Sequence, residues 1–364
     1  MSASTPRWDI FCAVVDNYGD LGVAWRLARQ IAREHGFGVR LWVDDLPLLA
    51  RLAPELDPAK LAQTVHGVDV RVWDGRGAGE AADPAEVVVE AFGCGLPAGY
   101  LAAMAARARQ PVWINLEYLS AESWIETCHG LASRHPTLPL TRYFFFPGFT
   151  ADTGGLLREP DLLQRRLHFD RAAWLASQGI AWAGEPVVSL FCYEPPVLGQ
   201  WLAAMARSPR RLLVTDGRAA CALRGALAAM PASWNRDQAL KISFLPLLSQ
   251  VEFDHLLWAA DANFVRGEDS LVRALWSGAA LVWQAYAQSD AAHHAKLDAF
   301  LDWLQAPASL RRYHGIWNGI EIAPLPDVEI TQWRAVVEAA RARLLAQEDL
   351  VSRLLGFVAE KLVK

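Results

Sequence analysis

The chain has 364 residues, enough for two domains at about 100–200 residues each, and 53% are hydrophobic against 21% charged. Such a composition supports a sizeable core and excludes disorder over any large part. A formal net charge of -5, with 35 basic and 40 acidic side chains and no long block of one sign, lacks the electrostatic footprint of a nucleic-acid binder.

In chain order, 10–15 reads as a strand, 23–35 as an amphipathic helix, 39–43 as a strand and 46–56 as a helix. Strands at 68–73 and 87–92, a helix at 100–109 and a strand at 112–116 follow. Wholly apolar strands with helical crossovers predict a parallel sheet covered on both faces, a Rossmann-like domain. An aromatic run at 143–149 and a turn at 153–155 lead into 160–178, which reads as one helix closed by Gly179. The alternation then restarts, with strands at 187–193, 211–215, 240–245, 263–265 and 280–283 and helices at 197–207, 219–230, 253–260 and 271–276. From Asp298 the pattern is helical, ending in 330–346 and 350–362. The expected organisation is α/β: a Rossmann-like domain over 1–182, a second over 183–345, and a helix over 346–364 of the kind that often returns to the N-terminal domain. Two doubly wound domains facing each other would set the carboxyl ends of both sheets at a central cleft, so the loops after the strands should carry the chemistry.

The first residues, MSASTPR, carry no basic region followed by an apolar stretch, and no run of about 18 apolar residues occurs. A protein neither exported nor membrane-spanning is expected. The five cysteines form no C-x-x-C pair, which suits reduced cytoplasmic thiols. Of the sixteen tryptophans, Trp25, Trp124, Trp174 and Trp258 fall in apolar patterns and read as core aromatics.

The loop Asp16-Asn17-Tyr18-Gly19-Asp20-Leu21-Gly22 lies between the first strand and the first helix. A dinucleotide fold would have G-x-G-x-x-G there. This loop spaces its glycines differently and sets Asp16 and Asp20 where phosphates would sit, which suits a cation or proton transfer. The plainer alternative is that Asp20 caps the helix while Gly19 and Gly22 relieve the turn. A second strand-to-helix loop, Phe264-Val265-Arg266-Gly267-Glu268-Asp269-Ser270, suits a diphosphate: Gly267 permits close approach, the first-turn N–H groups point outward and the Ser270 hydroxyl adds a donor. Arg266 could serve the ligand or an internal ion pair. Glu268 and Asp269 favour the helix dipole but are odd beside a phosphate unless they bind something else, such as sugar hydroxyls. Phe191, Tyr193 and Phe253 could sandwich a nucleobase while Gln250 reads its edge, or simply pack. There is no D-x-D, His293-His294 is not spaced for two ligands on one helical face, and neither G-x-S-x-G nor a Walker loop is present.

Together, DNYGDLGVAWRLARQ (16–30), VVVEAFGCGLP (87–97), INLEYLSAE (114–122), FFFPGF (144–149), TGGLLRE (153–159), FCYEP (191–195) and VRGEDS with VRA (265–274) resemble the EarP family. These are bacterial protein-arginine rhamnosyltransferases that modify translation elongation factor P. The resemblance implies a GT-B fold, with dTDP-β-L-rhamnose as donor, held mainly by the C-terminal domain. It implies as acceptor a single arginine of elongation factor P, held near the N-terminal domain. It further implies inversion at the anomeric carbon with no metal or other cofactor.

Matched by motif, Asp16 and Asp20 take the places of two essential aspartates, Asp20 as candidate base, and Glu268 is grouped with them as a catalytic acid. Asn17, Tyr18, Gly19 and Gly22 supply loop backbone. Arg266, Gly267, Glu268, Asp269 and Ser270 match the nucleotide-sugar loop, and Phe191, Tyr193, Gln250 and Phe253 the thymine and ribose pocket. At Gln288-Ser-Asp290 the preceding Ala287 stands where a proline is expected, so sugar contacts do not carry over there.

Because a guanidinium has a pKa near about 13.8, Asp20 is expected to grip it and to take a proton only as the new C–N bond forms. Discriminating one arginine from many calls for the folded N-terminal domain of elongation factor P rather than a short peptide. Two other functions fit the residues less fully: a metal-independent GT-B enzyme with a different nucleotide sugar or a small-molecule or lipid-linked acceptor, and a nucleotide-binding regulatory module without turnover.

Overall fold

The computed structural model describes residues 6–14, 18–73, 83–286 and 292–363. The chain divides into two compact units, Met1–Glu159 with Gln347–Lys364, and Pro160–Ala346. In the first unit the elements run β1 (Trp8–Cys12), α1 (Tyr18–His35), β2 (Val39–Val43), α2 (Leu46–Leu52), β3 (Ala62–Val65), β4 (Val68–Val72), β5 (Val87–Ala91), α3 (Ala98–Ala106), β6 (Val112–Leu116), α4 (Trp124–Cys128), β7 (Ala132–Arg134) and β8 (Thr141–Phe145). The sheet order is β3-β4-β2-β1-β5-β6-β8-β7. Its centre is parallel, with Ile10 level with Leu41 on one side and Val89 on the other. The edge strands β3 and β7 run antiparallel to their neighbours. Both faces are covered: Leu21, Trp25, Leu27 and Ile31 of α1 pack on one, and Phe11, Trp42, Tyr100 and Trp113 form a core on the other.

The second unit runs α5 (Leu162–Leu167), α6 (Arg171–Ser177), β9 (Val187–Leu190), α7 (Leu198–Met205), β10 (Arg210–Val214), α8 (Arg218–Ala228), β11 (Leu240–Phe244), α9 (Gln250–Ala259), β12 (Ala262–Arg266), α10 (Glu268–Ser277), β13 (Ala280–Gln284), α11 (Ala292–Leu304), α12 (Ala308–Trp317) and α13 (Ile330–Leu345). Its sheet, ordered β11-β10-β9-β12-β13, is parallel throughout. Both units are Rossmann-like.

Three expectations are corrected. The single helix over 160–178 is two, because the Asp170 side chain accepts the Ala173 N–H at 3.0 Å and caps a new helix start. The boundary lies at 159/160 rather than 182, because Trp174 and Leu175 of α6 join a core with Val187, Leu213 and Leu256 of the second unit. Trp124 is 49% exposed rather than a core residue, while Trp25 and Trp174 are buried. The terminal helix α14 (Leu350–Val363) belongs to the first unit, where Leu350, Val351, Leu354 and Val358 are buried at about 1.5–3 kcal/mol each. Among the described residues no helix is long and apolar enough to cross a membrane.

Candidate functional site

In both sheets the strand order reverses beside the unit's first strand, between β1 and β5 and between β9 and β12. The loops that follow these strands diverge to opposite faces, which opens a crevice over the carboxyl ends of the strands.

In the first unit α1 begins at Tyr18, not Val23, so Tyr18, Gly19, Asp20 and Gly22 are helical rather than loop residues. Two glycines at about 1 kcal/mol each disfavour a helix here, but the buried side chains of Leu21, Ala24 and Trp25 on the same turns outweigh them. Asp20 falls in the first turn, where the helix's positive end favours a carboxylate, and is 3% exposed. Asp16 and Asn17 lie outside the described residues. Asp44, just past β2, accepts the Val14 N–H with both carboxylate oxygens at 3.1 Å and fixes the backbone leaving β1. Arg51 of α2 donates to the Tyr18 hydroxyl at 3.0 Å. Burial, helped by the charges of Asp20 and Asp44, pushes the Cys12 thiol well up, so it stays protonated beside these acids.

Past β5, Phe92 has φ 58° and Gly93 φ 63°, and a left-handed conformation at a bulky residue costs about 1–3 kcal/mol. The turn is held by the Asn115 side-chain oxygen, which accepts the Gly93 N–H at 3.1 Å, and by Glu90, which accepts that of Gly95 at 2.9 Å. The Asn115 amide also donates to Glu117. Burial raises the Glu117 carboxyl above the usual range; Arg142 opposes this and the charge of Glu90 adds to it. The Phe92 ring stacks on Tyr118 at 4.5 Å. Sequence reasoning assigned no role to Asp44, Phe92, Asn115, Glu117 or Tyr118. Their common signal is position, at or just past the carboxyl ends of β2, β5 and β6.

In the second unit Phe191 and Tyr193 lie beyond the end of β9 rather than within it. The Phe191 N–H donates to Phe264 and the Tyr193 N–H to the Gln284 side chain at 2.9 Å. Helix α9 begins at Gln250, as expected of Gln250–Phe253 at a helix start although the apolar period runs only over 253–260, because Ser249 caps it by accepting the Glu252 N–H. Gln250 is buried, and the Phe253 ring meets Phe191 edge-on at 5.2 Å. Arg266, 6% exposed, ends β12 with its guanidinium 4.6 Å from the Phe191 ring and 4.5 Å from that of Tyr193. Cation–π stacking is thus its observed role. Gly267 caps α10 at φ 67°, ψ -178°, a conformation essentially confined to glycine. The Trp283 ring N–H donates to the Gly267 carbonyl at 2.9 Å and braces it from β13.

Glu268 and Asp269 occupy the first turn of α10, each beside a cation: Lys296 of α11 donates to Glu268, and Arg273 to Asp269 at 2.9 Å. These pairs remove the repulsion that made two acids odd beside a phosphate. Ser270 is buried and its hydroxyl donates to the Arg266 carbonyl one turn back, so the proton expected to face a ligand is committed to backbone. Gln288-Ser-Asp290 lies outside the described residues. Lys296 was missed because its partner is set by folding, 28 residues away, whereas the Asp269–Arg273 pair at i,i+4 on one helix offered a local signal that was not used.

A family model described as Elongation-Factor P (EF-P) rhamnosyltransferase EarP matches residues 8–359. The chain is 46% identical to a protein-arginine rhamnosyltransferase of Pseudomonas putida over 98% of this chain and 99% of the relative. It is 45% identical to one of Pseudomonas aeruginosa over 97% and 99%. A solved structure concerned with EarP-mediated arginine glycosylation of translation elongation factor EF-P superposes with a TM-score of 0.66 at 32% identity, covering 98% of this chain and 99% of that one. A glycosyltransferase of Rickettsia africae, at TM-score 0.53 and 7% identity, shares the fold alone.

Proposed function

The chain belongs to the EarP family of EF-P rhamnosyltransferases with a GT-B fold, and from that premise we propose that it moves L-rhamnose from dTDP-β-L-rhamnose to one arginine of EF-P, with inversion and without a metal. The observation that carries this reading is the contrast between the two switch points. The first has Asp20 and Asp44 near Cys12, with Glu117 just past β6; the other sets Arg266 over two aromatic rings beside a glycine-capped helix start. The first suits a guanidinium, the second a nucleoside diphosphate.

Asp20 accepts charge-assisted hydrogen bonds from the acceptor guanidinium and fixes one nitrogen for attack. That nitrogen bonds to C1 as the C1–O bond to the diphosphate breaks, and its proton passes to Asp20 within the same event, because no carboxylate deprotonates a free guanidinium. Asp16 adds negative field. The bonding pair leaves with dTDP, whose new charge meets the positive end of α10 and the guanidinium of Arg266. Phe191, Tyr193 and Phe253 stack the thymine and ribose with Gln250 at the base edge, and Glu268 holds sugar hydroxyls. EF-P is a translation factor, so the cytoplasm is the working compartment.

Incubation with dTDP-rhamnose and EF-P, followed by peptide mass spectrometry, is expected to add one deoxyhexose to one arginine, equally well in EDTA. The isolated folded N-terminal domain of EF-P is expected to be modified nearly as well as the whole protein, and a short peptide very poorly. No mass increment, or a strict magnesium requirement, would overturn this function or its metal-free chemistry.

A further inference from the structure

Helix α9, with Gln250 and Phe253, and helix α10, with Glu268, Asp269 and Ser270, are separate elements flanking β12. One side chain reaches both. Arg273 lies one turn beyond Asp269 on α10 and is 4% exposed. Its Nε donates to Asp269 at 2.9 Å, and one Nη donates to Asp254 of α9 at 2.7 Å and to the Gln250 carbonyl at 3.5 Å. Asp254 is also buried, one turn beyond Gln250, and Arg165 of α5 stands 3.6 Å from its other oxygen.

We infer that Arg273 is a positioning residue for the nucleotide-sugar donor, tying the start of α9 to the start of α10 and neutralising Asp269 there. This rests on the donor assignment above. The planar guanidinium suits the task because it serves two carboxylates and a carbonyl in different directions; a lysine carries the same charge on one nitrogen and cannot span them. Asp269 sits where the helix end would meet the leaving diphosphate, and a bare carboxylate there would oppose the field that α10 supplies. The tie also ties register: whatever shifts α10 shifts Gln250 and Phe253 with it. Removing one member of such a buried group leaves an uncompensated charge, so the conservative variant is the informative one.

The test is titration of the full chain with dTDP by calorimetry, together with steady-state kinetics on both substrates. Arg273→Lys is expected to weaken dTDP binding about tenfold or more, as for one lost hydrogen bond between charged groups, and to raise the donor KM alike while leaving the EF-P KM unchanged. Asp254→Asn keeps the shape of the tie and serves as the second variant should Arg273→Lys not fold; a smaller shift in the same direction is expected. A folded Arg273→Lys or Asp254→Asn protein that binds dTDP like the parent overturns the inference. So does a variant that raises the KM of donor and acceptor together, which is general loosening. Should the parent chain itself fail to bind dTDP, the donor assignment falls and the tie falls with it.

Discussion

The first unit sets three carboxyls at or past its strand ends, Asp20 at the start of α1, Asp44 past β2 and Glu117 past β6, the last raised by burial against the pull of Arg142. At the second unit's switch point the acids come with cations: Glu268 with Lys296, Asp269 with Arg273 and Glu194 with Arg218, while Arg266 lies over Phe191 and Tyr193. The parallel core of the first sheet, β4-β2-β1-β5-β6, repeats the order of the second, β11-β10-β9-β12-β13, so the same topology carries different charges on the residues after its strands.

The largest effect should come from removing the charge at the first site. Asp20→Asn keeps the shape and a hydrogen-bonding side chain but loses the proposed base, so turnover should fall roughly 10²–10⁴-fold at saturating donor and acceptor, read as glycosylated EF-P over time. An Asn variant within about threefold of the parent would sever Asp20 from the chemistry.

Acid should act on the frame of the second unit. His314 is wholly buried; its Nδ1–H donates to Leu310, and its Nε2 accepts the N–H of Trp283, the residue that braces Gly267. Burial lowers its pKa to about 4. The unfolded chain binds this proton below about 6.5 and the folded chain does not, so the stabilisation is whole above that pH and is lost as the pH falls to about 4. The loss attributable to His314 should be about 3 kcal/mol, measured by urea denaturation across that range, and the His314→Gln variant should show a flatter profile. Equal pH profiles for the two proteins would contradict it.

Gly267→Ala should weaken dTDP binding by about 1–3 kcal/mol, the cost of forcing a β-carbon into that backbone conformation. The smallest effect is reserved for Ser270→Ala. With the hydroxyl bonded to the Arg266 carbonyl rather than offered to a ligand, a change of no more than about 1 kcal/mol in dTDP affinity is expected, read by the same titration. A much larger loss would mean the hydroxyl turns to the diphosphate on binding.

How much of this was legible follows from burial and distance along the chain. Strand β6 (Val112–Leu116) could be read residue for residue because every position is buried and all but Asn115 are apolar. Strand β3 alternates exposed and half-buried positions at a sheet edge, and β7 spans three residues, so neither carries an apolar run to detect. The start of α1 was placed five residues late because Gly19 and Gly22 look like loop, and only tertiary packing makes them helical. Asp170 carried a capping signal that the unbroken apolar period around Leu175 concealed. The site loops could be found from strand ends, and the family motif supplied the donor and acceptor chemistry. The longer-range ion pairs could not be, because Lys296 reaches Glu268 and Arg273 reaches Asp254 only once the second unit has folded.

The most direct test of the division of labour is a side-by-side calorimetric titration of dTDP into Asp20→Asn and Gly267→Ala. On the proposed assignment the first variant should bind dTDP like the parent, because Asp20 lies in the first unit, and the second should bind it weakly because the start of α10 is displaced. Loss of dTDP binding in Asp20→Asn with full binding in Gly267→Ala would contradict the assignment of acceptor and donor to the two units.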